Sequence, residues 1–510
     1  MESRRRKTRA MRLSYAAMAP DDILQLEFAT LPELVREAAA RRPGHPAILV
    51  EDRRLDYAGL DSLMDQIAAG LQREGVAPRD VVSVCAGTSI EYAALFLGVL
   101  RAGATVAPLP PSATPEQIEA MRRDCAPKAF FDDARLATLD AWLPPAGTQP
   151  APVAIQPDWA FNIIYSSGTT GTPKGIVHPQ AMRWVHIQRA ARLGYGPHAV
   201  TLLATPLYSN TTLVSFLPTV GLGGTVILMP KFDARRYLEL AERHRVTNTM
   251  LVPVQYQRIM ALPDFGRYDL SSFRTKRSTS APLGAALKAD IVRRWPGKLI
   301  DSYGLTEGGA TFMLDCGAHP DKLHTVGVPA PGHEVRLLDD QGREVAKGEA
   351  GEIVGRSPGM MTGYLNQPAL TRDIEWHDEL GKRFLRTGDI GRFDEDGFLV
   401  LVDRKKDMII SGGFNIYPSD IEAVLRQHPG MAEVSVVGVP SEKWGETPVA
   451  FVVLKKDSTV EKAELLEYAN SRLGKTQRLA AVEIVDALPR SAIGKVLKRE
   501  LRASFRGKGL

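Results

Sequence analysis

The stretch YSSGTTGTPKG, Tyr165 to Gly175, follows the apolar run FNII and decides how the rest of the chain is read. Five of its eleven residues are Ser or Thr, three are Gly, and Lys174 carries its one charge. Backbone freedom, clustered hydroxyl donors and a cation suit a phosphate group. The best-known phosphate loop, GxxxxGK[ST], fails here when counted from Gly168. It needs Gly at 173 and a hydroxyl at 175, where this chain has Pro173 and Gly175. Pro has no N–H to give a phosphate, and Gly has no hydroxyl for magnesium. What remains is a loop of hydroxyls (Ser166, Ser167, Thr169, Thr170, Thr172) around Gly168 and Gly171, closed by Lys174. On composition alone an ordinary Gly/Ser/Thr/Pro linker is an equal reading.

Outward from that loop, short β-branched runs alternate with helical patterns. VVSVCA, ATVAPL, AFFDD, FNIIYS, TVILM, TMLVPV and KLIDSY read as buried strands, with SIEYAALFLGVLRAG and FDARRYLELAERHRV as helices between them. Such alternation predicts a layered α/β architecture with largely parallel sheets. From about Val326 short strands with Gly and Asp turns suggest a small β-barrel or sandwich, and beyond DRKKD a small α+β domain follows.

At 510 residues the chain is long enough for more than one domain. Its net charge of +5 is carried by the first twelve residues, so the remainder balances. A nucleic-acid-binding face is therefore not indicated. No apolar stretch follows the basic arm, which reads as a solvated, disordered segment or an upstream start before Met11. Cys85, Cys125 and Cys316 have neither disulfide nor zinc spacing, which fits a reducing cytoplasm. The uncharged stretch Asn210–Pro230 is broken by Pro218, Gly221, Gly223 and Gly224. It reads as helix, turn and strand, with no stable membrane insertion.

Four further segments break the tie over the loop. KLI leads into DSYGLTEGG, where Tyr303 offers an aromatic face, Thr306 a hydroxyl and Glu307 a hard oxygen suited to Mg²⁺. RTGDIGRF puts Asp389 in a tight Gly–Asp turn. DRKKDMIISGGFNIYPSDIE and PRSAIGK follow. In this order and spacing, YSSGTTGTPKG, YGLTE, TGD, DRKKD and PRSAIGK resemble the adenylate-forming superfamily of acyl- and aryl-CoA ligases, peptide-synthetase adenylation domains and luciferases. The resemblance runs from about residue 25 to 505.

It implies an arm at 1–20, an N-terminal adenylation domain at 21–403 (β-barrel subdomain about 326–402), and a mobile C-terminal domain at 404–510. It also implies that an acid attacks the α-phosphate of ATP, giving an acyl-adenylate and pyrophosphate, and that the acyl group then passes to CoA. Ser166, Ser167, Gly168, Thr169, Thr170, Gly171 and Lys174 would hold the β- and γ-phosphates. Asp301 belongs to the nucleotide site, Tyr303 would pack on adenine, Thr306 would touch the α-phosphate and Glu307 would ligate Mg²⁺. Asp389, with Arg404 beside it, would bind the ribose. Lys495 would bridge α-phosphate and carboxylate, Lys406 would be the hinge, and Gly412 and Gly413 would line the CoA path. Ser419 and Glu422 read instead as a capping box.

The acyl pocket would involve Tyr208, Ser209, Asn210, Thr279, Ser280, Gly304 and Gly308. Here the sequence departs from the superfamily. Ser209 stands where many CoA ligases carry His after an aromatic residue, and Thr279 and Ser280 replace small residues. These side chains either narrow the pocket and donate to substrate, or bond the local backbone. The first alternative implies a compact, aryl, cyclic or short-to-medium acid, and the lost His leaves an amine or carrier protein open as acceptor. A monomer and a homodimer are both compatible.

Overall fold

The computed structural model describes residues 25–166, 174–404, 407–411, 414–441, 444–474, 477–490, 494 and 496–505. Its contacts divide the chain into two compact units. The first is Met1–Leu323 with Ala330–His333 and Arg356–Glu375; the second is His324–Pro329, Glu334–Gly355 and Trp376–Leu510.

In chain order the strands of the first unit are β1 (Pro46–Val50), β2 (Arg53–Asp56), β3 (Val81–Cys85), β4 (Thr105–Pro108), β5 (Ala129–Asp132), β6 (Ala160–Ser166), β7 (Lys174–Pro179), β8 (Val200–Leu203), β9 (Thr225–Leu228), β10 (Asn248–Leu251), β11 (Thr275–Ser278), β12 (Lys298–Gly304) and β13 (Thr311–Asp315). They form two sheets. One runs β13-β12-β11-β10-β8-β9-β1-β2; the other runs from strand Gly363–Tyr364 through β7-β6-β4-β3-β5. Interior pairs such as β8–β9, β10–β11, β11–β12 and β3–β4 are parallel, whereas β12–β13 and β6–β7 are antiparallel. The seven sequence-read strands are all present, and both expected helices begin at a side-chain cap. Ser89 accepts from the Tyr92 N–H ahead of Ile90–Arg101, and Asp233 from the Arg236 N–H ahead of Ala234–Arg243.

Every residue of Ile90–Arg101 except Glu91, in the first turn, is buried, so this helix lies almost wholly within the core. It packs on Tyr57–Arg73 at Gly98, where a Cβ would come 2.5 Å from Ile67. The uncharged stretch resolves into helix Asn210–Gly221 and β9, and among the described residues no helix is long and apolar enough to cross a membrane. All three cysteines are free and buried.

The second unit holds two sheets. One joins Glu334–Leu338, Gly351–Arg356, Arg383–Phe393 and Glu375–His377, with Leu399–Arg404 on the long strand. The other joins Phe414–Ile416, Ile409–Ser411, Gly445–Leu454 and Met431–Ser441, with Ala481–Ile484 beside Gly445–Leu454. Helices Pro418–Arg426 and Lys462–Asn470 supply apolar faces to the second sheet through Ile421, Leu425, Leu465 and Ala469.

Ser419 and Glu422 do not form a capping box. Ser419 lies inside the helix, which starts at Pro418, so its hydroxyl is past the cap position. Its Oγ donates to the Val402 carbonyl, and its N–H donates to Asp403 at 3.0 Å. Glu422 instead accepts from the Val436 N–H at 2.9 Å and pairs with Arg426 and Lys498.

Candidate active site

Strand β12 carries DSYG to its end, and the chain returns through a turn into antiparallel β13. Tyr303 and Phe312 face each other across that pair, their ring centroids 5.9 Å apart. Glu307 sits in the turn, its carbonyl accepting from the Met361 N–H at 2.8 Å. Strand Gly363–Tyr364 then pairs with β7, setting Tyr364 opposite Ile176. The Tyr364 hydroxyl donates to Glu307 Oε1 at 2.8 Å, and Lys174 Nζ lies 5.5 Å from the Tyr364 ring centroid. Lys174, Glu307 and Tyr364, far apart in sequence, thus form one group. Burial, and then the Glu307 charge, push the Tyr364 phenol upward, so it stays a donor.

Tyr364 belongs to no motif read from the sequence. A Tyr after Gly in GMMTGYLN has no signature until β7 is known to be its neighbour.

A magnesium ion fits this group in a limited way. Glu307 is a single hard-oxygen ligand, and among the described residues no cluster of three or more His, Cys, Asp or Glu could enclose a metal. One carboxylate, with phosphates and waters completing the octahedron, is how Mg²⁺ is held beside a nucleotide.

The turn is anchored from below. His178 Nε2 lies 2.7 Å from the Thr306 carbonyl, while its Nδ1 lies 3.1 Å from Asn162 Nδ2 and 2.8 Å from Arg183 Nη2. Nδ1 therefore accepts and Nε2–H donates. Burial, followed by the Arg183 charge, holds His178 well below the usual imidazole range. Gly308 has φ +81°, and a Cβ there would meet the Gly359 carbonyl oxygen at 2.0 Å. Its lack of a side chain lets two backbones touch. Gly304 is exposed at the end of β12.

The two segments expected to border the acyl pocket do meet. Ser280 Oγ lies 2.6 Å from Thr211 Oγ1, and Ser280 holds φ 79°, a left-handed conformation unusual for a residue with a side chain. Ser209 is the N-cap of helix Asn210–Gly221 and accepts from the Thr211 N–H at 3.3 Å. Of the two alternatives the sequence left open, Ser209 shows a local backbone contact, as an acceptor, while Ser280 bonds a side chain of the facing segment. Asn210 differs, since its Oδ1 is buried without a hydrogen-bond partner among the described residues. Tyr208 and Thr279 are half-buried beside these groups.

Asp301 is buried and paired with Lys288 at 2.8 Å, and Lys288 Nζ also donates to the Leu323 carbonyl at 3.1 Å. Burial pushes the Asp301 carboxyl up while Lys288 opposes the shift. The partner seen for this carboxylate is a lysine beneath the sheet.

In the second unit Asp389 does not sit in a tight turn but inside the continuous strand Arg383–Phe393. Its neighbours Thr387 and Gly388 form an irregularity against Gly351–Arg356, where the register passes from Val354↔Arg386 to Glu352↔Ile390. Gly388 takes φ +70° there, and the Asp389 N–H donates to Thr387 Oγ1 at 3.0 Å. A bulge re-aims a side chain without ending the strand. Arg404 is the cross-strand partner of Asp389. Ser166 ends β6. Ser167, Gly168, Thr169, Thr170, Gly171, Lys406, Gly412, Gly413 and Lys495 lie outside the described residues.

The AMP-binding enzyme family matches residues 35–365, and the AMP-binding enzyme C-terminal domain matches 420–495. The chain belongs to this family. Among relatives of this AMP-binding enzyme, the indoleacetate–CoA ligase of Aromatoleum aromaticum is 33% identical over 507 residues, covering 92% of this chain and 97% of that protein. A feruloyl-CoA synthase from an Amycolatopsis species is 34% identical, covering 88% and 94%. ATP-bound MatB from Rhodopseudomonas palustris superimposes with a TM-score of 0.83 at 27% identity, covering 94% of this chain and all of that one. The amide bond synthetase McbA from Marinactinospora thermotolerans gives 0.81 at 28% identity, covering 93% and 99%. Like these, the AMP-binding enzyme described here has a mixed α/β fold with a large N-terminal domain and a smaller C-terminal one.

Proposed function

We propose that this AMP-binding enzyme is an ATP-dependent carboxylic acid–CoA ligase. The observation that carries the reading is the grouping of Lys174, Tyr364 and Glu307 at the turn that also holds Thr306. The acid's carboxylate attacks the α-phosphorus of ATP, the bond to the bridging oxygen breaks, and pyrophosphate leaves. In the second half-reaction the CoA thiolate attacks the acyl carbonyl and AMP departs. No side chain needs to become a nucleophile, so the protein's task is to position and to stabilise charge. Lys174 and the Ser167–Gly171 loop bind the β- and γ-phosphates, Tyr303 packs on adenine, and Thr306 contacts the α-phosphate. Glu307, oriented by Tyr364, holds Mg²⁺, which neutralises phosphate charge. Asp389 and Arg404 bind the ribose. Lys495 acts in the adenylating half-reaction, Lys406 is the hinge separating the two half-reactions, and Gly412 and Gly413 line the thiol path. The acid is compact, because helix Asn210–Gly221 and the Ser280 segment are tied together at Thr211.

A second acceptor has a specific observation in its favour. Ser209 replaces the expected His and serves only as a cap among the described contacts, while an amide bond synthetase shares the fold. Incubation with ATP, Mg²⁺ and an acid library, with and without CoA or amines, followed by mass analysis, decides the acceptor. Acyl-CoA formation supports the ligase reading; an adenylate that reacts only with amines overturns it.

A further inference from the structure

The first unit satisfies most of its buried cations within the protein. Arg101 is paired with Asp61 and Asp65, and Lys288 with Asp301. Lys276 donates to the carbonyls of Trp295, Pro296 and Gly297. One cluster breaks this rule. Arg183 is 1% exposed, and its partners are Asn162, His178 and His186, none of them an acid. Arg189, six residues further along helix Gln180–Arg192, is 3.3 Å from His333 Nε2. Arg277, at the end of β11, is 7% exposed, and its Nε is buried with no hydrogen-bond partner among the described residues. Lys276 and Arg277 emerge on opposite faces of their strand, which separates the carbonyl-bound cation from the unpartnered one.

Arg183 and Arg277, buried without a carboxylate and with the half-buried Arg189 near them, are costly unless something anionic joins them. The charges also act on one another. Burial and then Arg277 push Arg189 down to about 10, and His186 is lowered by burial, Arg183, Arg189 and Arg277. The histidines do not supply the missing charge. His333 Nδ1 lies 3.1 Å from the Ala330 carbonyl and donates to it, so Nε2 accepts from Arg189.

The cluster adjoins the candidate active site. His178 bonds the Thr306 carbonyl, and a Cβ on Gly359, whose carbonyl touches Gly308, would lie 3.9 Å from His186 Nε2. Arg277 is three residues ahead of Ser280, which is tied to Thr211. We infer that Arg277 and Arg189, backed by Arg183 and His186, select a compact acid that carries a second carboxylate, bound at the end of the molecule that is not adenylated. Guanidinium forks match a carboxylate bidentately, and Arg277 has the donor to offer. The inference rests on the adenylating function proposed above.

Matched pairs test it: pentanoate against glutarate, hexanoate against adipate, and 4-methylbenzoate against terephthalate. Pyrophosphate release gives kcat/KM for each, and thermal shift without ATP gives binding independently of turnover. The wild type is expected to favour the diacid in at least one pair, and diacids are expected to raise its melting temperature. In Arg277→Met, and to a similar degree in Arg189→Gln, the diacid-to-monoacid ratio falls by about a hundredfold. Monoacids turned over while diacids neither bind nor react would overturn the inference and leave the function standing. Diacids that bind, with no pyrophosphate from any acid, would sink the function and keep the binding site. Neither binding nor turnover overturns both. An unchanged ratio in a variant that melts like the wild type also overturns the assignment, and if neither variant folds the wild-type preference decides.

Discussion

The phenol of Tyr364 donates to the carboxylate of Glu307 across 2.8 Å, joining residues fifty-seven positions apart. It leaves the second Glu307 oxygen available for a metal and holds an aromatic face near Lys174. Tyr364→Phe keeps the ring and removes the donor. A hydrogen bond to a charged group contributes about 1.5 kcal/mol or more, so kcat/KM for MgATP should fall by about tenfold. Kinetics at several magnesium concentrations check this, and an unchanged magnesium requirement would make the contact purely structural.

Lys495 should matter to one half-reaction. Lys495→Ala is expected to slow acyl-adenylate formation by about a hundredfold or more, the scale seen for a single charge-stabilising group. Thioester formation from a supplied acyl-adenylate should survive. Equal losses in both steps would contradict the hinge reading.

Gly308→Ala adds a Cβ where a carbonyl oxygen already stands, on a residue with φ +81°. The backbone conformation alone costs about 1–3 kcal/mol, and the clash must move Gly359 or Glu307. The variant should melt lower and adenylate poorly; a wild-type melting curve would refute the close approach.

Lys288→Met leaves the Asp301 carboxylate buried without its partner at 2.8 Å. Breaking such a pair costs about 3–5 kcal/mol, measurable as a lower denaturant midpoint. Adding Asp301→Asn should restore part of that loss because the stranded charge is gone.

His333 gives the fold an acid limit. Burial and the nearby Arg189 lower its imidazole to about 4, against about 6.5 in an unfolded chain. Between those values the unfolded chain binds the extra proton, so stability rises with pH. Its contribution is complete above about pH 6.5 and is lost as the pH falls toward 4. Urea midpoints from pH 4.5 to 7.5 should show that slope, and His333→Asn should flatten it by up to one proton.

Much of this was legible from residue order. The strands around FNIIYS and KLIDSY are apolar runs bounded by turns, and local periodicity marks them without help from distant residues. Lys174 and Glu307 stood in motifs whose order and spacing resemble those of the adenylate-forming superfamily. Ser419 shows the limit of local reading. The pattern S-x-x-E is a cap only if the helix begins at Ser, and here it begins a residue earlier, leaving Ser419 bound to Val402 and Asp403. Asp389 shows it again, because a Gly–Asp pair looks like a turn until two sheet partners hold the strand straight through a bulge.

The sequence by itself determined the α/β alternation and the family, since these reside in short segments and their order. Tertiary structure alone decided that Tyr364 bonds Glu307, that Ser280 is tied to Thr211, and that Arg183, Arg189 and Arg277 have no carboxylate partner among the described residues. The first two are distances between residues from different elements, and the third depends on what packs around each arginine. Such a distance depends on strand pairing and helix packing, which local propensity does not encode.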